Sequence, residues 1–164
     1  MVFVTLGTQA KDFSRCLKTI ETLVKDKVIT ESVFAQTGHT KYKPEGIECV
    51  QFITEKEYNE RISEARIVIS HAGTGALFSS ITQGKKVIAI ARLAKYGEMV
   101  NDHQTEIVKK LSEGGYILDG TNDLRAAWMV AQTFMPKKGD FQCSIPKRIE
   151  EILDGWGIVK KDNS

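Results

Sequence analysis

The sequence predicts an α/β fold, in which helices cover both faces of a mainly parallel sheet. Short apolar runs alternate along the chain with longer segments whose apolar residues recur at helical spacing. Most of these runs are apolar at every position, which is typical of strands buried on both faces of a parallel sheet. Glycines follow several of the runs, at points where a strand must turn toward a helix.

Length, charge and cysteine content narrow the class of protein. The 164 residues are enough for a well-filled core, and we expect a single domain over 1–164. A net charge of +2 is too small to indicate nucleic-acid binding, and three distant cysteines indicate neither disulfides nor a zinc ribbon. No apolar run approaches the ~20 residues of a membrane span, and no signal peptide is recognisable. We therefore expect a cytoplasmic protein that reaches a membrane only through a partner.

The first half of the chain predicts three strands and two helices. Strands are expected at 2–6, 31–36 and, with a rougher alternation of apolar residues, 47–53. An amphipathic helix with Cys16 in its apolar stripe is predicted between the first two strands. Its apolar residues are Phe13, Cys16, Leu17, Ile20, Leu23 and Val24. Thr54 and Glu57 have the spacing of a capping box, which predicts a short helix before the fourth strand.

The second half predicts three further strands, at 66–70, 87–90 and 116–118. A helix is expected after the fourth strand and ends at Gly84, and a polar loop over 92–100 leads to a helix over 102–111. A C-terminal helical segment is expected at about 121–155. It comprises a helix near Trp128, a break at 136–140 and a last helix over 145–153.

The stretch Ser70-His71-Ala72-Gly73-Thr74-Gly75-Ala76 joins a buried strand to a helix through a glycine-bearing turn. Backbone N–H groups at such a helix start are unpaired and favour an anion, most often a phosphate. In a Rossmann-like sheet, ligands bind outside the carboxyl ends of the strands, where this turn lies. The spacing matches neither GxGxxG nor a P-loop, so a tight structural turn is an equal alternative.

Three other groups of residues are weaker candidates for a functional site. His39, His71 and His103 lack the short spacing and neighbouring carboxylates of a metal site. A triad of Ser70, His71 and Asp102 can be drawn, but no GxSxG elbow is present. Residues 101–104 begin a helix, and two interpretations are open. In one, Asn101 or Asp102 caps the helix and Gln104 or Thr105 is merely exposed. In the other, His103 and Gln104 hydrogen-bond a polar ligand such as a sugar.

Several motifs together resemble a known family in order and spacing. They are Val4-Thr5-Leu6-Gly7-Thr8, Phe52-Ile53, residues 70–75, Gly84-Lys85-Lys86-Val87-Ile88-Ala89-Ile90 and Tyr96-Gly97-Glu98-Met99-Val100-Asn101-Asp102-His103-Gln104. Residues 1–118 resemble the C-terminal, donor-binding half of family-28 glycosyltransferases of the GT-B fold. The similarity is greatest to the small subunit of split transferases. These include bacterial capsule and exopolysaccharide enzymes and the eukaryotic enzyme that adds the second N-acetylglucosamine to a lipid-linked sugar.

The resemblance implies a UDP-sugar as substrate, with no cofactor, no metal and no covalent role for this chain. It implies a uracil contact at Ile53, diphosphate contacts from residues 73–76, and sugar contacts from Gln104, with Asp102 and His103 beside it. Gly7 and Thr8 would face the same cleft. The complete set of implied donor-binding residues is Gly7, Thr8, Phe52, Ile53, His71, Ala72, Gly73, Thr74, Gly75, Ala76, Asp102, His103 and Gln104.

The resemblance also implies a partner subunit that carries the membrane anchor, the acceptor site for a lipid-linked sugar and the general base. The chain would then be the inactive half of a hexosyltransferase of cell-surface polysaccharide assembly. Trp128, Phe134, Phe141 and Trp156 are candidates for docking, although core packing is the stronger expectation for the first two.

Two positions depart from the family pattern. Ser79 stands where many relatives have a glutamate that binds the ribose, and Ala91 precedes Arg92 where relatives tend to have proline. The first departure motivates an alternative, a regulatory or scaffold subunit that kept the fold and lost the donor. An unrelated Rossmann-like oxidoreductase is disfavoured because no acidic residue follows the second strand.

Overall fold

The structure, a computed structural model, describes residues 1–137 and consists of six strands and five α-helices in that part of the chain. The strands are β1 (Val2–Thr5), β2 (Val33–Gln36), β3 (Glu48–Val50), β4 (Ile67–Ser70), β5 (Lys86–Ala89) and β6 (Leu118–Asp119). The helices are α1 (Ser14–Lys25), α2 (Glu55–Glu64), α3 (Thr74–Thr82), α4 (His103–Glu113) and α5 (Leu124–Ala131). A short 3₁₀ turn at Ala94–Tyr96 lies between β5 and α4.

The strands form one sheet in the order β3-β2-β1-β4-β5-β6, and each of its five neighbouring pairs is parallel. The strand order reverses between β1 and β4, because the chain builds the sheet first toward one edge and then toward the other. This confirms the predicted Rossmann-like sheet. It also places the topological switch point, where such sheets bind ligands, at the ends of β1 and β4.

Successive residues of the strands point to opposite faces, so the sheet has two apolar cores. On one face, α1 and α5 pack against a set that includes Val2 and Val4 of β1. On the other face, α2, α3 and α4 pack against a set that includes Phe3. Cys16 is buried in the first core, as its place in the apolar stripe predicts, and burial raises the pKa of its thiol to about 12.

Several element boundaries differ from those that the sequence predicts. β3 ends at Val50, so Phe52 and Ile53 lie in the loop beyond it instead of in the strand. β3 is an edge strand that pairs with β2 alone, and the pairing ends at Val50. α3 begins at Thr74, three residues before the apolar run that indicated it. The apolar spacing does not reveal residues 74–76 because none of them is a core residue.

The predicted helix near Trp128 is present in the structure. α5 occupies Leu124–Ala131, and Trp128 is buried core rather than a docking residue, with its Nε1–H donating to the carbonyl of Val28 at 3.1 Å. The predicted helix over 145–153 lies outside the described residues, as do Phe141 and Trp156. Within residues 1–137, none of the helices combines the length and the apolar character needed to cross a membrane.

Candidate functional site

The loops after β1 and β4 meet at the switch point of the sheet. These strands are neighbours, with Thr5 opposite Ser70, and the backbone N–H of His71 donates to the carbonyl of Thr5 at 3.0 Å. From there, the chain turns into α1 on one face and into α3 on the other. The turn 70–76 therefore lies at the carboxyl edge of the sheet, as the sequence predicts, where sheets of this kind form the crevice in which ligands bind.

The turn itself contains a strained residue. Ala72 has a φ of 64°, in the left-handed region that residues with a side chain rarely adopt, and it is fully buried. Such a conformation costs of the order of 1 kcal/mol and is often found at functional sites. Here it redirects the chain from β4 so that α3 can begin two residues later, at Thr74.

The first turn of α3 has no internal partner for its backbone donors. The N-cap residue, Gly73, has no side chain, the turn contains no acidic residue, and the N–H groups of residues 74–76 have no acceptor among the described residues. The other four described helices each begin beside a side-chain oxygen that accepts from the backbone. These oxygens belong to Asp12, Thr54, Asn101 and Asp123. The N-terminus of α3 thus keeps its positive potential for a ligand.

His71 is buried between two glycines at this turn. A Cβ atom at Gly7 would lie 2.5 Å from its Nε2, and a Cβ atom at Gly73 would lie 2.1 Å from it. The Nδ1–H of the ring donates to the carbonyl of Thr5 at 3.1 Å. Burial, with a smaller contribution from the charge of Arg92, lowers the pKa of His71 to about 4, although the hydrogen bond to Thr5 opposes the shift. His71 is therefore a neutral imidazole whose Nε2 lone pair faces the glycine turn.

The loops after β2 and β3 adjoin the same crevice. A Cβ atom at Gly38 would lie 2.2 Å from the carbonyl oxygen of Gly7, and the Gly38 N–H donates to the carbonyl of Gln51 at 2.9 Å. Phe52, half-exposed, contacts the ring of His39 with 5.3 Å between centroids. Ile53 is half-buried on the edge of the second core. Phe52 and Ile53 therefore lie at the same sheet edge as the turn 70–76.

The start of α4 differs from the capping alternative left open by its sequence. Asp102 is the N-cap residue, but its side chain accepts from no N–H of the helix. The Oδ1 of Asn101, one residue earlier, accepts from the backbone N–H of His103 at 3.2 Å. Asp102 instead accepts from the N–H of Ala94 at 2.8 Å and so fixes the preceding loop. The alternative of an exposed Gln104 is wrong: its side chain is buried, and its Oε1 accepts from the backbone N–H of Arg92 at 3.0 Å. Its Nε2–H groups have no acceptor among residues 1–137.

Arg92 is a part of the site that sequence reasoning missed. Its guanidinium is buried and donates to the carbonyls of Leu6 and Lys11, each at 2.9 Å. One residue thus connects the loop after β5, the loop after β1 and, through its backbone, Gln104. An arginine after an apolar strand in a polar loop gives no sequence signal of burial, because most such arginines are exposed.

The rest of this loop is held by an ion pair. Glu98 is buried and forms two 2.9 Å contacts with Arg15 of α1, and its Oε2 also accepts from the N–H of Leu93 at 2.9 Å. Arg15 donates further to the carbonyls of Ala91 and Thr121. The loop over 92–100, predicted only as polar, is therefore anchored to α1.

The structure assembles neither alternative constellation. His71 bonds Thr5 and Asp102 bonds Ala94, so no triad connects them to Ser70, whose buried Oγ has no partner. No group of three metal-binding side chains occurs in the described part of the chain. Ser79 is half-buried on α3, six residues from Gly73.

A family model described as the glycosyltransferase family 28 C-terminal domain matches residues 1–125. The human UDP-N-acetylglucosamine transferase subunit ALG13 is 28% identical over 123 residues, which are 71% of this chain and 10% of that protein. Its namesake from Yarrowia lipolytica is 32% identical over 83 residues, 48% of this chain and 39% of the relative. The chain thus spans well under half of these relatives.

Solved structures show the same fold. The NMR structure of ALG13 superimposes with a TM-score of 0.59 at 20% identity, covering 93% of this chain and 94% of that one. The crystal structure of Acinetobacter baumannii MurG superimposes with a TM-score of 0.55 at 16% identity, covering 95% of this chain and 49% of that one.

Proposed function

The chain belongs to the glycosyltransferase family 28 C-terminal domain family, and from that premise we propose that it is the donor-binding subunit of a UDP-sugar glycosyltransferase. In this proposal, the turn 71–76 holds the diphosphate of the nucleotide-sugar. Phe52 and Ile53 contact the uracil, and Gln104 contacts the sugar, with Asp102 and His103 at the rim. Gly7 and Thr8 line the crevice between these contacts.

The observation that carries the proposal is the N-terminus of α3. It combines three unpaired N–H groups, the absence of any capping side chain and the absence of an acidic residue. A helix N-terminus of this kind stabilises an anion by about 1–2 kcal/mol when partly buried. The leaving group of a UDP-sugar transfer gains negative charge on its diphosphate. Preorganised N–H donors at that position would therefore stabilise the transition state without a metal.

The spacing of the sheet suits a nucleotide lying across it. The ends of β3 and β4 are three strand spacings apart, roughly 14 Å at ~4.8 Å per spacing. An extended nucleoside diphosphate can span this distance. The two strand ends between them are followed by Gly38 and Gly7, both with positive φ. Because neither has a side chain, a ligand could approach the backbone closely at both positions. Neutral His71 shapes the floor of the crevice and does not act as the general base.

We further propose that the general base and the acceptor site lie on a membrane-anchored partner subunit. The acceptor would be a lipid-linked sugar of cell-surface polysaccharide assembly, and this chain would act at the cytoplasmic face of the membrane through its partner. The names of the ALG13 relatives describe them as subunits of a UDP-N-acetylglucosamine transferase, which supports a subunit role. They also make UDP-N-acetylglucosamine the first donor to test.

A titration of the purified chain with UDP and with NAD tests the nucleotide site. We expect weak binding of UDP and none of NAD. Gly75→Asp should abolish UDP binding because it places a carboxylate in the first turn of α3. No atom lies within 4 Å of a Cβ at Gly75, so the change creates no steric clash. A carboxylate in this turn also suits the helix dipole, so folding should be retained.

Gly75→Asn is the matched control, since it has nearly the same shape as Gly75→Asp without the charge. It should bind UDP within about threefold of wild type, because the electrostatic repulsion is absent. Binding of NAD instead of UDP, or unchanged UDP affinity in Gly75→Asp, would contradict the proposed diphosphate site.

Position 79 is a serine, whereas many relatives have a ribose-binding glutamate there. This difference favours a second candidate, a scaffold subunit that no longer binds the donor. The two candidates differ in one experiment on the reconstituted pair of subunits. Full transfer activity with Gly75→Asp in this chain would support the scaffold. Loss of activity with Gly75→Asp and its retention with Gly75→Asn would support the donor-binding subunit.

A further inference from the structure

Arg92 is an unusual buried cation. Its side chain is 1% exposed, and its guanidinium lies over the ring of Phe13, 4.6 Å from the centroid. Its two terminal nitrogens donate to the backbone of the loop after β1, at Leu6, Lys11 and Asp12. Its Nε is one of two buried side-chain polar atoms in residues 1–137 that have no hydrogen-bond partner.

The charge of Arg92 is not neutralised by direct contact with a carboxylate. Among the ion pairs of the described residues, none includes Arg92. Arg15 provides the contrast, because it also lies over the ring of Phe13 but forms two contacts with Glu98. Glu98 and Asp12 act on Arg92 only at longer range. Desolvation lowers the pKa of Arg92, as expected for a buried cation without a carboxylate in contact.

Arg92 lies next to the crevice. Its Nη2 donates to the carbonyl of Leu6, the residue before Gly7, and Gly7 contacts His71. Its charge also acts on His71, whose pKa it lowers. A buried, unneutralised cation is unfavourable in the free protein, and an anion bound nearby relieves this cost.

We propose that Arg92 is a positioning residue of the nucleotide-sugar site, which holds the backbone of residues 6–12 and supplies the positive charge that a bound diphosphate neutralises. This inference rests on the proposed function. Arg92 does not touch the ligand in this arrangement. It acts through the loop after β1 and through its electric field, together with the N-terminus of α3.

The test compares the binding of UDP and of uridine, which lacks the diphosphate. Arg92→Gln removes the charge, and we expect it to weaken UDP binding about tenfold or more while changing uridine binding by less than about threefold. Arg92→Lys keeps the charge and should retain most of the preference for UDP over uridine. Equal losses for UDP and uridine in Arg92→Gln would reduce Arg92 to a structural role and overturn the proposal.

Arg61→Gln is the matched control. Arg61 also stacks on an aromatic ring, 4.0 Å from the centroid of Phe34, and the change alters the net charge equally. It lies in the last turn of α2. Helices of parallel α/β units run antiparallel to the strands, so the last turn of α2 lies near the amino ends of the strands, away from the proposed site at their carboxyl ends. UDP binding should therefore be unchanged, and a loss equal to that of Arg92→Gln would show an effect of net charge alone.

A measurement on the wild-type chain keeps the proposal testable if Arg92→Gln does not fold. The NMR resonance of the Arg92 Nε–H group should shift on addition of UDP and not on addition of uridine. If UDP binds and this resonance does not move, the inference fails while the proposed function stands. If the wild-type chain binds no UDP, the proposed function itself fails.

Discussion

His71 shows how one residue combines a structural and a functional constraint. Its Nδ1–H donates to the carbonyl of Thr5. Its ring lies so close to Gly7 and Gly73 that neither position has room for a side chain. The ring therefore has one tautomer, with an acceptor toward the turn. A neutral acceptor does not attract phosphate by itself. In the proposed site, the backbone N–H groups of α3 supply the attraction, and His71 sets the shape of the turn.

The low pKa of His71 predicts that acid destabilises the fold. An unfolded histidine binds a proton near pH 6.5, whereas in the folded chain the pKa of His71 is about 4. The unfolded state therefore takes up a proton first as the pH falls. The stability contributed by neutral His71 is complete above pH 6.5 and is lost toward pH 4. Between pH 7 and pH 5, this loss amounts to about 2 kcal/mol.

Urea unfolding at pH 7 and at pH 5 checks this prediction. The free energy of unfolding at pH 7 minus that at pH 5 should be about 2 kcal/mol smaller in His71→Gln than in wild type. His39→Gln, which removes an exposed histidine, is the control and should keep the wild-type difference. The same pH dependence in His71→Gln and wild type would show that His71 is not the group responsible.

At the scale of elements, the five described α-helices divide by how they begin. Four use a side-chain oxygen to satisfy the first turn, and α3 does not. A side-chain N-cap contributes about 1 kcal/mol, so α3 lacks a stabilisation that α2 and α5 have. Packing of Leu77 and Ile81 in the second core holds α3 in place instead. The fold therefore tolerates an uncapped helix end at the position where we propose that an anion binds.

The loop between β5 and α4 is a second element whose order depends on a few contacts. Glu98→Ala should lower the free energy of unfolding by roughly 2–4 kcal/mol. The change removes a buried carboxylate that accepts two hydrogen bonds from Arg15 and one from the backbone N–H of Leu93. Denaturation followed by fluorescence of buried Trp128 measures the change. Glu106→Ala, at an exposed position of α4, should cost less than about 0.5 kcal/mol. Equal costs for the two variants would contradict the anchoring role of Glu98.

At the scale of the whole molecule, the strand order places all the candidate contacts at one edge. The ends of β3, β2, β1 and β4 follow one another, and the loop after β5 closes the row through Arg92 and Gln104. This edge supplies N–H donors, an amide and apolar contacts. In the described part of the chain, no carboxylate is held at the turn as an obvious general base. These groups suit the proposed role of holding a donor, and in the proposed function the acceptor site lies on a partner subunit.

This arrangement predicts that the purified chain transfers no sugar alone. Transfer from UDP-N-acetylglucosamine or another UDP-sugar to a lipid-linked acceptor should appear only when a membrane-anchored partner subunit is added. Radiolabelled transfer measured with this chain, with the partner and with both checks the prediction. Heat-treated chain added to the partner is the control. Transfer by the isolated chain would show that it contains its own base and acceptor site.

Local patterns determined the greater part of the fold. Apolar runs and helical spacing predicted the strands and helices because secondary structure follows the periodicity of side chains that must be buried. The turn 70–76 was predictable for the same reason, since a strand, a glycine turn and a helix lie within a few residues. Motif order indicated the family, which the match over residues 1–125 confirms.

Only the tertiary structure decided how the candidate site is held together. Arg92 and Leu6 are 86 positions apart, and Arg15 and Glu98 are 83 apart. No local pattern reveals that these charges are buried, because burial depends on how distant loops meet at the sheet edge. The tautomer of His71, the buried Gln104 and the end of β3 before Phe52 depend on the same packing. The sequence alone determined the strand–helix order and the glycine turn that we propose as an anion site, and the folded sheet edge determined which groups surround that turn.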